Sequence, residues 1–255
     1  MQVTTKRAVL DILTLSLGLF LIIFFSILPS SFFHSAFYAA DFNFAKYITA
    51  HRSISGANFF LFITYLANWQ VILTSQVCII IALIATRRRK EGMVFAGGVF
   101  LGLLTAIILK LIVGRARPEG GFLPFTGTDS FPSYHALMAV IFYGLAGYLL
   151  AHSSKKSLSR GIILTFTSIL VFLIGFSRLY LGVHWLSDVI AGWALGSALL
   201  MLFIFIFERL LHLNHQSEKP ISLNFIHALY IFLLVAETFF ITYFYISHPL
   251  SGALK

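Results

Sequence analysis

Charge is scarce in this chain. Asp, Glu, Lys and Arg make up 11% of its 255 residues, and only nine residues are acidic. Soluble domains carry about 25% charged residues, so the composition excludes an ordinary water-soluble globule. Cysteine is nearly absent. Cys78 stands alone inside an apolar run, which rules out an intramolecular disulfide and argues against cysteine-based metal or redox chemistry. No hydrophilic domain, low-complexity linker or internal repeat interrupts the chain. No dense carboxylate cluster or histidine-rich ligand set appears, so no metal or other cofactor is expected.

Apolar sequence is abundant instead: 59% of residues are hydrophobic and the mean hydropathy is +0.92. Apolar runs at 8–28, 69–86, 93–113, 134–151, 161–176, 186–207 and 224–246 approach or reach bilayer-spanning length. About 20 apolar residues cross roughly 30 Å of hydrocarbon as a helix. Only helices and closed barrels satisfy the backbone there, and runs this long read as helices. The expected fold is all-α: a polytopic transmembrane bundle of six core spans plus a seventh, C-terminal span at about 224–246. One membrane-embedded domain would cover 1–255. Lys6 and Arg7 ahead of the first run resemble a signal peptide, but the run is long and further spans follow, so an uncleaved first helix is expected.

The net charge of +9 could suggest a nucleic-acid partner. The positions of the cations argue otherwise. Eleven of the 18 Lys and Arg residues fall in four groups: Lys6/Arg7, Arg87–Lys90, Lys155/Lys156/Arg160 and Arg209/Lys219. With helices alternating in direction, all four land on one side, which the positive-inside rule makes cytoplasmic. The excess charge therefore sets topology and meets anionic lipid, and no nucleic acid is expected. A multi-pass protein of the cell (inner) membrane is expected, with its N-terminus cytoplasmic and loops 114–133 and 177–185 outside. Between the first two runs, Phe33, Phe37, Phe44 and Ile48 recur at helical spacing against Asp41 and Lys46, followed by a short helix near 54–67. The pattern predicts an amphipathic interfacial helix. It serves equally as an aromatic anchor or as an entry wall for a membrane-embedded substrate.

Three stretches hold nearly all the unusual polar residues. In "KLIVGRARP", Lys110 and Arg117 are seven apart and would share a face if the helix continued, with Pro118 fixing its end. A deep lysine costs about 2.5–3.5 kcal/mol at a helix centre and less near the interface, and snorkelling to the headgroups is its plain alternative. In "FPSYHALMAV", Ser133 reads as a helix N-cap and His135 as a first-turn residue. Capping and phosphate binding are compatible there, because backbone amides at a helix start also cradle anions. In "SRLYLGVHWLSDV", His184 and Asp188 are four apart on a predicted helix face, with Arg178 just before. A carboxylate on one ring nitrogen fixes the tautomer and frees the other as nucleophile or base; a structural ion pair is the alternative. Together the set suits a tetrahedral oxyanion: cations and amides hold phosphate, one histidine attacks, and a second protonates the leaving oxygen.

These stretches resemble the tripartite signature of the type-2 phosphatidic acid phosphatase superfamily of membrane lipid phosphatases, KX6RP, PSGH and SRX5HX3D. Here they run from Lys110 to Pro118, through "PSYH" at 132–135, and from Ser177 to Asp188, so the core motifs occupy 110–188. The resemblance implies His184 as nucleophile, Asp188 as its orienting partner and His135 as general acid. It implies phosphoryl contacts from Lys110, Arg117, Ser133 and Arg178, and from the backbone amide of Tyr134. The expected activity is metal-independent hydrolysis of a membrane-lipid phosphate or diphosphate at the outer face. Undecaprenyl diphosphate, lipid A phosphate, phosphatidic acid and phosphatidylglycerol phosphate are the candidate substrates. Lipid-to-lipid phosphotransfer and a non-catalytic lipid-binding or transport protein are the alternatives. Two features depart from the family: Tyr134 stands where the signature has glycine, and the run at 224–246, with Glu237 near its middle, exceeds six spans.

The topology has a direct test. A single cysteine placed at Gly127, in a Cys78→Ser background, should react with a membrane-impermeant thiol reagent on intact cells. Labelling only after permeabilisation inverts the arrangement.

Overall fold

A computed structural model describes residues 30–123 and 129–212. The runs at 8–28 and 224–246, Glu237, Gly127 and the cations Lys6, Arg7 and Lys219 lie outside the described residues. Seven helices follow one another within them: α1 (Ser30–His51), α2 (Ile54–Tyr65), α3 (Trp69–Ala85), α4 (Arg89–Val113), α5 (Tyr134–Ser153), α6 (Ser157–Tyr180) and α7 (Leu186–His212). Five stretches are long and apolar enough to cross a membrane: Ile54–Ala85, Arg89–Val113, Tyr134–Ser153, Ser157–Tyr180 and Leu186–Leu210. The first joins α2 and α3 across the break at 66–68. The expected short helix at 54–67 and the run after it thus fall within one span-length apolar stretch.

Outward faces stay apolar, as lipid requires. Phe100, Leu111, Leu158 and Phe166 are exposed. Inside, α5 is the central post: Leu137, Met138, Ile141, Phe142 and Leu145 are buried against Phe95 and Val99 of α4 and Leu195, Leu199 and Phe203 of α7. The α5–α7 approach is close because α7 presents glycine. A Cβ at Gly192 would lie 2.8 Å from the carbonyl oxygen of Ser133, and one at Gly196 would lie 2.8 Å from that of Leu137. Small residues four apart let membrane helices meet at backbone distance. This contact sets the start of α5 directly beside the first turns of α7.

Two local predictions need correction. The helix carrying Lys110 does not run on to Pro118. It ends at Val113, where Gly114 adopts φ 57° and returns its N–H to the carbonyl of Lys110 at 3.0 Å, a left-handed cap that glycine adopts without strain. Lys110 and Arg117 therefore do not share a helix face. Nor do His184 and Asp188: α7 begins at Leu186, so His184 precedes it. Asp188 lies in the first turn and its Oδ2 accepts the backbone N–H of Trp185 at 2.9 Å, the back-reaching half of a capping box.

The interfacial helix is also repacked. Phe37, Tyr38, Phe42 and Tyr47 of α1 are exposed and Ile48 is buried, but Asp41, expected on the polar face, is 2% exposed.

The α5–α7 contact predicts a size limit. Gly192→Ala or Gly196→Ala should lower unfolding stability in detergent by about 1–3 kcal/mol through overpacking. Gly161→Ala, where a Cβ meets nothing within 4 Å, should change it little. Equal melting temperatures across the three variants would show that the helices separate freely.

Candidate active site

Ser133, Tyr134 and His135 open α5. Ser133 has the extended backbone of an N-cap, yet its hydroxyl makes no capping bond. It is fully buried and its Oγ has no hydrogen-bond partner. An orphaned buried hydroxyl costs about 1–3 kcal/mol, so the capping role expected of this serine is not what holds it there. Its backbone N–H donates to the carbonyl oxygen of Asp188 at 3.1 Å, tying α5 to α7. The ring of His135 places Nε2 2.9 Å from Oδ1 of Asn68, in the break between α2 and α3. Tyr134 is half-buried against the main core and meets the His135 ring edge-on, with centroids 5.6 Å apart. As the first residue of α5 it carries an amide that no helical carbonyl accepts.

Lys110 and Arg117 converge through the loop. Lys110 Nζ and Arg117 Nη2 both donate to the carbonyl oxygen of Asp129, the latter at 3.3 Å. Arg117 Nη1 donates to the carbonyl of Val183 at 2.6 Å and lies 3.2 Å from Nε2 of His184. Burial lowers the pKa of Arg117 from its ordinary value, and Asp188 and Asp129 oppose that shift. Arg178, 2% exposed, donates from Nη1 to Thr64 Oγ1 of α2 at 2.6 Å.

His184 is 4% exposed. Its Nδ1 lies 3.5 Å from Oδ2 of Asp188. Guanidinium groups only donate, so the Arg117 contact assigns the lone pair to Nε2 and the proton to Nδ1, facing the carboxylate. Burial holds the imidazole well below its ordinary pKa of 6.5, and Arg178, Arg117 and Lys110 push it further down. The neutral form, with its Nε2 lone pair turned toward Arg117, is therefore the resting state near pH 7. A small void of about 20 Å³ lies beside His184, bounded also by Phe44, Leu179 and Leu186, room for about one water.

The motif residues Lys110, Arg117, Ser133, Tyr134, His135, Arg178, His184 and Asp188 thus lie in one region. The cations Arg178, Arg117 and Lys110, with His184, lie within electrostatic reach of His135. Among the described residues, no three His, Cys, Asp or Glu side chains form a metal-holding group.

Sequence reasoning missed four groups. Asn68 and the carbonyl of Asp129 orient His135 and the two cations. Arg115 donates to Asp188 Oδ1 and to Asp41 Oδ2, each at 2.6 Å. Asp41, Arg115 and Asn68 carried no signal: each lies far along the chain from its partner, or beside a stronger motif. Only the doubled arginine in "GRARP" hinted that one of the two had a separate partner.

Comparison with known proteins points to membrane phosphatases. The PAP2 superfamily profile matches residues 91–212. Phosphatidylglycerophosphatase B of Bacillus subtilis is 35% identical over 98 residues, covering 38% of this chain and 47% of that one. Undecaprenyl-diphosphatase of Sulfolobus acidocaldarius is 36% identical over 121 residues, covering 45% and 54%. The chain thus spans about half the length of these curated relatives. The crystal structure of a transmembrane PAP2-type phosphatidylglycerolphosphate phosphatase from Bacillus subtilis superposes with a TM-score of 0.68 at 27% identity, covering 75% of this chain and 96% of that one. With its helical membrane fold and three motifs near His184, the chain is similar to the PAP2 superfamily over residues 91–212.

Proposed function

We propose that the protein hydrolyses a phosphate monoester or diphosphate on a membrane lipid, without a metal, through a phosphohistidine on His184. The observation that carries this reading is the buried, unpartnered hydroxyl of Ser133. It lies at a helix N-terminus in a site that also gathers two histidines and three cations. Such a donor without an acceptor calls for an oxyanion. In the proposed reaction His184 Nε2 attacks phosphorus while Lys110, Arg117, Arg178 and Ser133 hold the phosphoryl oxygens. The bond from phosphorus to the lipid oxygen breaks. His135, as imidazolium, carries two N–H groups: Asn68 holds one and the other protonates the leaving oxygen. Water then attacks the phosphohistidine, with His135 taking its proton. The cation pattern supports an outer-face site in a cell membrane with a cytoplasmic N-terminus. The names of the relatives support phosphatidylglycerol phosphate, undecaprenyl diphosphate and lipid A phosphate among the candidate lipids.

The test is phosphate release from a panel of lipid phosphates, with EDTA present. His184→Ala should lose at least about 10³-fold in kcat and His135→Ala about 10²–10⁴-fold. No release from any lipid by the wild type would favour a binding protein, and loss on chelation restored by a metal would overturn the metal-independent route. Tyr134→Gly should alter the ranking of substrates, since the phenol packs beside His135; an identical ranking would make the residue a neutral replacement.

The pH dependence has a definite sign. Protonation removes the Nε2 lone pair, so kcat/KM should fall toward acid. The His184 pKa lies well below 6.5, so that limb should break below pH 6.5. A nucleophile limb breaking above pH 7 would contradict the buried, cation-flanked environment.

A further inference from the structure

Arg115 lies outside the three phosphate-handling motifs' working residues, and Asp41 lies outside the residues that match the family. Both are buried, at 6% and 2% exposure. Their contacts form a closed set. Arg115 Nη1 donates to Asp188 Oδ1 and to Ser187 Oγ, each at 2.6 Å, while Nη2 donates to Asp41 Oδ2 at 2.6 Å. Ser187 donates from its backbone N–H to Asp41 Oδ1 at 2.8 Å and from its hydroxyl to Asp41 Oδ2 at 2.6 Å. The Arg115 guanidinium also lies over the Trp185 ring, 5.6 Å from its centroid. Trp185 is itself fixed: its Nε1 donates to the carbonyl of Ala116 at 2.8 Å.

The consequence falls on Asp188. Its two oxygens are not equivalent: Arg115 takes Oδ1, and Oδ2 receives the Trp185 amide and faces His184 Nδ1. A carboxylate held this way cannot rotate to offer Oδ1 to the imidazole. Asp41 fixes the other arm of the same guanidinium, and a planar fork held at both ends has one orientation. The cavity beside it, about 130 Å³ between α1 and α7, is lined by Phe37, Ala40, Leu186, Ile190 and Ala191 besides Asp41 and Ser187. Apart from Ser187, the side chains of that lining offer Arg115 no substitute acceptor if Asp41 is removed.

We infer that Asp41 and Arg115 are positioning residues, through which the interfacial helix α1 sets the Asp188 carboxylate and hence the tautomer of His184. The inference rests on the proposed role of His184, but its central readout does not require turnover. Asp41→Asn leaves Arg115 with a neutral, weaker acceptor, and Arg115→Gln frees Asp188 Oδ1. In both, the preference of His184 for the Nδ1–H form weakens.

The experiment uses the full-length protein in nanodiscs with ¹⁵N-labelled histidine. The His184 signals are identified by their loss in His184→Gln. Wild type should show the Nδ1–H tautomer at pH 8, and Asp41→Asn and Arg115→Gln should show a mixture. An unchanged tautomer in Asp41→Asn overturns the inference. On a lipid phosphate that the wild type cleaves, Asp41→Asn should lower kcat about 10–100-fold with KM within about twofold. The double variant should lose no more than Arg115→Gln alone, because the two act in series. Additive losses overturn the series. Should Asp41→Asn fail to fold, Ser187→Ala, which removes one donor to Asp41 and keeps both charges, carries the same tautomer prediction and the same refutation. A wild type that cleaves no lipid phosphate refutes the proposed function, and the tautomer comparison still decides this inference.

Discussion

Asp188 is the acceptor on which the site is built. It is completely buried, and three separate segments reach it: Arg115 from the loop after α4, Trp185 and His184 from the turn before α7, and Ser133, whose amide binds the Asp188 carbonyl, from the start of α5. A buried carboxylate is tolerable only when countercharge and hydrogen bonds surround it. That demand makes the pieces mutually dependent. The glycine contact between α5 and α7 brings Ser133 within reach, the Gly114 cap releases Arg115 from its helix, and the capping turn of α7 aims Asp188 back at its own N-terminus.

Such a hub is poor evidence for stability in itself. Breaking one arm of a buried ion pair is strongly destabilising, at about 3–5 kcal/mol, while replacing the whole set with apolar residues is often neutral. What the network supplies is orientation. Arg115 occupies one carboxylate oxygen, so only the other is left for His184. The same geometry explains why α1, an interfacial helix by pattern, carries an aspartate on its buried side.

The helices and the gathering of the three motifs were legible from sequence, because apolar length, cation placement and residue spacing report on them directly. The local routes were not. Lys110 and Arg117 look like helix neighbours at seven residues, but a glycine with φ 57° intervenes, and the two meet through the Asp129 carbonyl instead. His184 and Asp188 look like an i, i+4 helix pair, but the helix starts between them. In both cases the spacing was right and the mechanism of convergence differed, since a left-handed cap and a capping box bring residues together without a continuous helix. Asp41 was illegible for another reason: amphipathic patterning assigns a lone acid to the polar face, and only a partner 74 residues away reverses that.

The balance of charge then links fold to chemistry. Arg115 is neutralised by Asp41 and Asp188, so it is not free for an incoming anion. Lys110, Arg117 and Arg178 donate to neutral acceptors that include the Asp129 and Val183 carbonyls and the Thr64 hydroxyl. Burial, reinforced by those three cations, keeps His184 unprotonated in the resting site. For the proposed reaction the same charges would bind the phosphoryl oxygens, and a bound dianion would offset their field at both histidines. The nucleophile is thus kept basic in form before substrate arrives, and protonation of the general acid becomes easier once phosphate is present. The scarcity of acids in the chain has a local counterpart here: the negative charge that would complete the site is the substrate's own.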